Sequence, residues 1–228
     1  MNHLNKKPHA LLLDLDGTLL DTAPDFAIAI NRLRQDQALP PLAFSEIRPR
    51  VSDGSQGMLA VGLGITPDSR DYETHKTQFL KYYQECLSVH TKPFPGILAL
   101  LSEWEKTRGP WGIVTNKPGW LTTPLLQLQG LDQRISCVIS GDTLPFRKPS
   151  PLPLLHAAAQ LGLDPTHCVY VGDHLGDIEA GLAANMTTIA AAYGYLTPQD
   201  NPYHWQAHYV VNQPHEIWPC LQQHNDSK

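Results

Sequence analysis

The run Leu11-Leu12-Leu13-Asp14-Leu15-Asp16-Gly17-Thr18-Leu19-Leu20-Asp21 restricts this chain more than any other part of it. Its apolar start reads as a buried strand, here taken as Ala10 to Leu15, and its exit is marked by glycine. Asp14 and Asp16 arrive at that exit two residues apart. Buried carboxylates are costly unless a cation or hydrogen-bond donors meet them. An interior strand of an ordinary domain has no reason to end this way, whereas a site that binds a metal ion and carries out covalent chemistry does.

Such a strand needs a substantial core around it. The 228 residues suit one large domain, or a core with a smaller insert, and 42% are hydrophobic against 17% charged. A net charge of -5 with no basic run leaves no footprint for nucleic acid. The polar stretch Met1 to His9, followed by an apolar run that Asp14 soon interrupts, predicts neither signal peptide nor membrane span. Cys86, Cys137, Cys168 and Cys220 show no zinc or two-residue redox spacing. They are expected as free thiols in the cytoplasm.

Further strands are predicted at Trp111 to Thr115, Ser136 to Ile139, Cys168 to Val171, Thr187 to Ala191 and Tyr209 to Val211. Helical patterns fall between them at Gly96 to Lys106, Leu121 to Gln129, Leu152 to Leu161 and Ile178 to Ala184. That alternation predicts an α/β fold, a Rossmann-like parallel sheet with helices on both faces. One connection breaks the rhythm. Between Leu20 and about Phe94 there is no strand pattern, only helical candidates at Pro24 to Gln37, Ser55 to Leu63 and Asp68 to Ser88. So long a stretch does not stay unstructured in a compact domain. The expectation is a core of residues 1–20 and 94–228 with an inserted helical cap subdomain of residues 21–93. The cap is placed over the carboxyl ends of the strands, where such sheets bind ligands.

Three more sites carry chemistry. In Gly172-Asp173-His174-Leu175-Gly176-Asp177 a strand again ends in glycine and a carboxylate, with a second carboxylate one helical turn on. Asp14, Asp173 and Asp177 together form an oxygen-rich set suited to magnesium, which keeps its waters for substrate phosphate. In Ile113-Val114-Thr115-Asn116-Lys117 a strand delivers a hydroxyl and amides before helical sequence, an arrangement that suits an anion. In Arg147-Lys148-Pro149, Lys148 offers a point charge for a phosphate or a carboxylate, and Pro149 is placed to start the next helix. Singly, each of these residues is as readily a cap, a turn former or a solvated charge. Four in this order, each beside a predicted strand end or helix start, are not.

In this order the motifs resemble those of haloacid dehalogenase superfamily phosphatases, across essentially the whole chain. The family pattern Asp-x-Asp-Gly-Thr stands at Asp14 to Thr18, its Ser or Thr at Thr115, its Lys at Lys148, and Gly-Asp-x-x-x-Asp at Gly172 to Asp177. Within the superfamily the chain is similar to the phosphoglycolate phosphatase group. More narrowly, Asp21-Thr22-Ala23-Pro24-Asp25-Phe26, Trp111 to Pro118 and Tyr193-Gly194-Tyr195 look like bacterial N-acetylmuramic acid 6-phosphate phosphatases of peptidoglycan recycling.

The resemblance implies a magnesium-dependent phosphomonoester hydrolase, a monomer or weak homodimer acting on a small phosphorylated metabolite. Asp14 becomes the nucleophile and Asp16 the general acid and base. Magnesium falls to Asp14, the Asp16 carbonyl and Asp173, with Asp177 behind them. Thr115, Asn116 and Lys148 hold the phosphoryl oxygens. The nearest pattern has Asp and Arg where this chain has His174 and Gly176, implying a looser hold on the metal. Arg48 or Arg50, in the polar turn Ile47 to Ser55, is expected to pair with a substrate carboxylate. The rival readings are a phosphomutase on the same scaffold and a catalytically silent binding protein.

Overall fold

The computed structural model describes residues 8–223. Most of the polar stretch Met1 to His9 therefore lies outside the described residues. The strands are β1 (Ala10–Leu13), β2 (Leu20–Asp21), β3 (Lys92–Pro93), β4 (Trp111–Val114), β5 (Cys137–Ile139), β6 (Cys168–Gly172), β7 (Thr187–Ala191) and β8 (Tyr209–Val211). Six of them form one parallel sheet in the order β5-β4-β1-β6-β7-β8. β1 lies between β4 and β6, with Leu12 level with Gly112 and Tyr170. The chain builds outward from β1 to β5 and then returns to β6 on its other side. That reversal puts a crevice at the carboxyl ends of the central strands.

All of β1, β4 and β6 is buried, as the absence of alternation in their sequences requires. Leu11, Leu13, Ile113, Val169 and Val171 face one apolar layer with Ile97, Leu101 and Trp104 of α5 (Ile97–Thr107) and Ile217 and Leu221 of a C-terminal helix. Ala10, Leu12, Val114 and Tyr170 face another, against helices of residues 152–160 and 175–183. Helices thus cover both faces, as the alternation of strands and helices implied. β1 ends at Leu13 rather than Leu15, so Asp14 and Asp16 lie on the turn beyond the sheet. Pro149 does not start a helix. It follows Lys148 through a cis peptide bond, and the helix begins at Leu152.

The long connection holds α1 (Ala23–Asp36), α2 (Phe44–Ile47), a 3-10 turn (Arg48–Asp53), α3 (Gly54–Leu63) and α4 (Tyr72–Glu85). Pro24 in the first turn of α1 has no N–H to leave unsatisfied. Phe26, Ile30 and Leu33 form its buried stripe against Phe79 and Tyr83 of α4. The expectation of no strand from Leu20 to Phe94 is corrected at both ends. Leu20 and Asp21 pair antiparallel with Pro93 and Lys92, a ribbon too short to have a period. Cys86, Cys137 and Cys168 are buried free thiols and Cys220 a half-buried one. No helix among the described residues is long and apolar enough to cross a membrane.

Asp25, fully buried on α1, fastens the outgoing end of this segment. Its carboxylate accepts from His90 N (2.8 Å), Thr91 N (3.0 Å) and Thr91 Oγ1 (2.6 Å). Asp25→Ala strands those donors, so urea titration should show a loss of about 3 kcal/mol.

Candidate active site

The turn after β1 is held by hydrogen bonds as well as by Leu15 and Leu19, which are buried in the apolar layer. Asp14 N donates to Val171 O (2.9 Å), which carries the register of β1 and β6 one residue past the strand. Gly17 follows with φ +87°, and a Cβ there would overlap the Asp173 carboxylate. Only glycine lets the first turn approach the exit of β6 so closely.

Around Lys148 the carboxylates converge. Its Nζ lies 2.7 Å from Asp14 Oδ1 and 2.7 Å from Asp177 Oδ1, and it donates to Tyr170 Oη (2.8 Å) and Val114 O (2.9 Å). Burial opposes the lysine charge, but Asp14 and Asp177 outweigh it and raise its pKa. Carboxylate oxygens of Asp14, Asp173 and Asp177 all lie within 4.8 Å of one another, and all three residues are buried. One ammonium for three carboxylates leaves negative charge uncompensated. Burial drives the Asp14 pKa up to about 7, with Lys148 opposing and Asp177 and Asp173 reinforcing the rise. Burial and then Asp177 raise Asp173 to about 6. Asp14 Oδ2 accepts no hydrogen bond among the described residues. An all-oxygen set with a charge deficit fits a hard divalent cation.

Asp173 is held at both oxygens. Oδ1 accepts from Thr18 Oγ1 (2.9 Å), and Oδ2 accepts from Ser52 Oγ (2.9 Å) and Tyr195 N (2.9 Å). Asp177 accepts from His174 N at Oδ2 (3.1 Å). His174 itself caps the helix of residues 175–183: Nδ1 faces Gly176 N at 3.1 Å, and Nε2 faces Asp53 Oδ1 at 3.7 Å.

Asp16 stands apart from this cluster. Its carboxylate accepts from Thr22 Oγ1 (2.7 Å) and from Lys117 Nζ at both oxygens (3.0 and 3.2 Å). Thr115 is buried, and its hydroxyl accepts from Lys117 N (3.2 Å). The Asn116 side chain is taken up by the backbone of Lys148, donating to its carbonyl (3.0 Å) and accepting from its N–H (3.1 Å). It thus positions the lysine, and any anion contact at residue 116 falls to its backbone amide. The two arginines part ways. Arg50 lines the cavity beside Asp53, whereas Arg48 donates to Gly194 O (2.9 Å) and Tyr193 O (3.3 Å) and is not among the lining residues.

Asp14, Asp16, Asn116, Lys148 and Asp177 line one cavity of about 980 Å³. Its opposite wall comes from the inserted helices, with Tyr72, Lys76, Phe79 and Tyr83, and Trp120 is at its edge, about half exposed. Lys117, Tyr170, Ser52, Tyr83 and Tyr195 have no role in the motif pattern, and only their fold neighbours reveal one. Tyr195 is the clearest: its hydroxyl accepts from Thr22 N (2.6 Å) and Ala23 N (2.9 Å) at the start of α1 and donates to Asp21 Oδ1 (2.8 Å).

Comparison with known proteins agrees with this geometry. The family model of haloacid dehalogenase-like hydrolases matches residues 11–191. The chain is 42% identical over 212 residues to an N-acetylmuramic acid 6-phosphate phosphatase of Pseudomonas aeruginosa, covering 93% of this chain and 94% of that one. It is 44% identical over 211 residues to a phosphoglycolate phosphatase of Xanthomonas campestris, covering 92% and 95%. A crystal structure of a predicted phosphoglycolate phosphatase from Haemophilus somnus superposes with TM-score 0.83 at 26% identity, over 94% of this chain and 98% of that one. The motif order, the sheet that presents it and these matches make the protein a member of the haloacid dehalogenase-like hydrolase family.

Proposed function

We infer that this enzyme is a magnesium-dependent phosphomonoesterase that works through an aspartyl-phosphate, and that its substrate is a sugar-sized phosphate ester carrying a carboxylate. The observation that carries the chemistry is the buried Asp14 carboxylate, one oxygen held by Lys148 and the other free at the wall of a cavity.

In this reading Asp14 attacks phosphorus while the ester P–O bond breaks, and Asp16 gives its proton to the departing alkoxide. Asp16, now a carboxylate, takes a proton from water, whose oxygen attacks phosphorus. The bond to Asp14 then breaks and inorganic phosphate leaves. Lys148, the Thr115 hydroxyl and the amide of residue 116 are suited to hold the non-bridging oxygens. Asp14, Asp173 and the Asp16 carbonyl would hold magnesium, with Asp177 behind them, and the ion supplies the positive charge that lets a carboxylate approach an anionic phosphate. Residues 21–93 act as the cap that shields the phosphoryl group from bulk water.

The cavity volume supports the larger substrate. A two-carbon ester would fill a small part of about 980 Å³, whereas an amino sugar with its lactyl acid suits the space, and Arg50 is available for that carboxylate. N-acetylmuramic acid 6-phosphate, the compound in the name of the Pseudomonas relative, is therefore the favoured substrate, turned over in the cytoplasm. Phosphoglycolate is the second reading, favoured by the name of the Xanthomonas relative. A phosphomutase finds no support in either of these names.

A phosphate-release panel with magnesium should rank N-acetylmuramic acid 6-phosphate above phosphoglycolate and simple hexose phosphates in kcat/KM. The reverse ranking would transfer the assignment to the smaller acid. Asp14→Asn should remove turnover of every ester while leaving the circular dichroism spectrum intact. Residual turnover in that variant would remove Asp14 from the nucleophile's role.

A pH dependence of stability also follows. Asp14 and Asp173 bind protons more tightly folded than unfolded, because their pKa values rise to about 7 and about 6 from 3.8. Without metal, stability should therefore fall as pH rises from about 4 to about 7. Magnesium needs the carboxylates ionised, so its stabilising shift in Tm should grow over the same interval. Melting curves with magnesium and with EDTA at several pH values test both.

A further inference from the structure

Lys117 is a buried cation, its side chain only 3% exposed, that the reaction scheme leaves without a task. An ammonium has three N–H donors. Here they meet Asp16 Oδ1, Asp16 Oδ2 and the Tyr83 hydroxyl (2.9 Å), so the group is saturated and offers nothing to a substrate. Its surroundings are aromatic. Nζ lies 4.4 Å from the centre of the Tyr83 ring and 4.9 Å from that of Phe26, where ring faces attract a cation. Both rings belong to the inserted helices α1 and α4, and they pack on each other with centroids 4.2 Å apart. A cation rooted in the core is therefore caged by the inserted segment and aimed at Asp16.

Resting on the reading of Asp16 as general acid and base, we propose that Lys117 and Tyr83 are positioning residues for its proton transfer. Negative charge develops on the Asp16 carboxylate as its proton passes to the leaving oxygen. The ammonium already in contact stabilises that charge without reorganising, and the Tyr83 phenol holds the ammonium there. Helix α4 thereby shapes the chemistry of the core as well as the wall of the cavity.

Leaving-group dependence separates this role from a packing role. An alkyl phosphate needs its leaving oxygen protonated, whereas p-nitrophenolate departs without help. Tyr83→Phe keeps the ring and loses only the hydroxyl. It should lower kcat/KM for N-acetylmuramic acid 6-phosphate about tenfold and that for p-nitrophenyl phosphate less than about twofold. Lys117→Met should show the same pattern more strongly, and the double variant should be no worse than Lys117→Met alone. Equal losses on both esters, or additive losses in the double variant, would overturn the proposal. Asp16→Asn serves as the reference. If its kcat/KM falls equally for both esters, the acid/base reading itself fails, whereas kcat falls for both under that reading because Asp16 also activates the water of the shared second step. If it discriminates between them and Tyr83→Phe does not, only the positioning role fails.

Discussion

The rest of this structure depends on one ammonium shared among buried carboxylates. Lys148 reaches Asp14 and Asp177 at 2.7 Å each, and among the described residues no other cation forms an ion pair with the three-aspartate cluster. Removing a partner from such a cluster is far more damaging than never having built it, because an unpaired charge is left in low dielectric. The sheet order serves this contact. β1 between β4 and β6 brings Asp14, Val114 and Asp173 to one rim, while Asn116 grips the backbone of Lys148 and fixes where the lysine enters. The charge left uncompensated is what suits the cluster to a cation rather than to a closed structural network.

The second organising feature is how the inserted segment meets the core. Polar, specific contacts cross at the site beside an apolar seam in which Leu121 and Tyr195 of the core join the cluster of the inserted helices. Ser52 donates to Asp173, Lys117 donates to Tyr83, and Arg48 gives its guanidinium to the carbonyls of Tyr193 and Gly194. Each engages a core residue that is itself at the site or next to it. Polar contacts of this kind demand a particular geometry, whereas apolar packing tolerates sliding. The inserted helices are therefore registered against the rim of the cavity by hydrogen bonds, and the aromatic cluster of Phe26, Phe79 and Tyr83 stiffens the side that presents them.

Much of this was legible in the chain. Strands buried on both faces announce themselves as apolar runs, so β1, β4 and β6 and the carboxylates at their exits stand out. The helices between them follow from their apolar stripes, Phe26, Ile30 and Leu33 on α1 being typical. What escaped was of two kinds. The β2–β3 ribbon has two residues on each side and no period to detect. The partners of the motif residues are ordinary types whose meaning comes from distance in the chain: Tyr195 is 173 residues from Thr22, and Lys117 is 101 from Asp16. Arg48 and Arg50 illustrate the same limit. They are neighbours in sequence, yet a 3-10 turn sends one to backbone carbonyls and the other to the cavity.

The ribbon has a larger meaning than its size suggests. Because Asp21 pairs with Lys92, the inserted segment leaves and re-enters the core at adjacent points. The core therefore sees the insert as a small excursion between neighbouring strand ends, and closing that loop costs little more for a long insert than for a short one. A fold wired this way can exchange whole excursions without rethreading its sheet. The polar fastenings to the core that such an exchange must reproduce are few: Ser52 on Asp173, Arg48 on the carbonyls of Tyr193 and Gly194, the Tyr195 cap on α1 and the phenol that meets Lys117. An exchanged excursion would meet the carboxylate cluster beneath it at a single side chain, through the place that Ser52 now takes on Asp173.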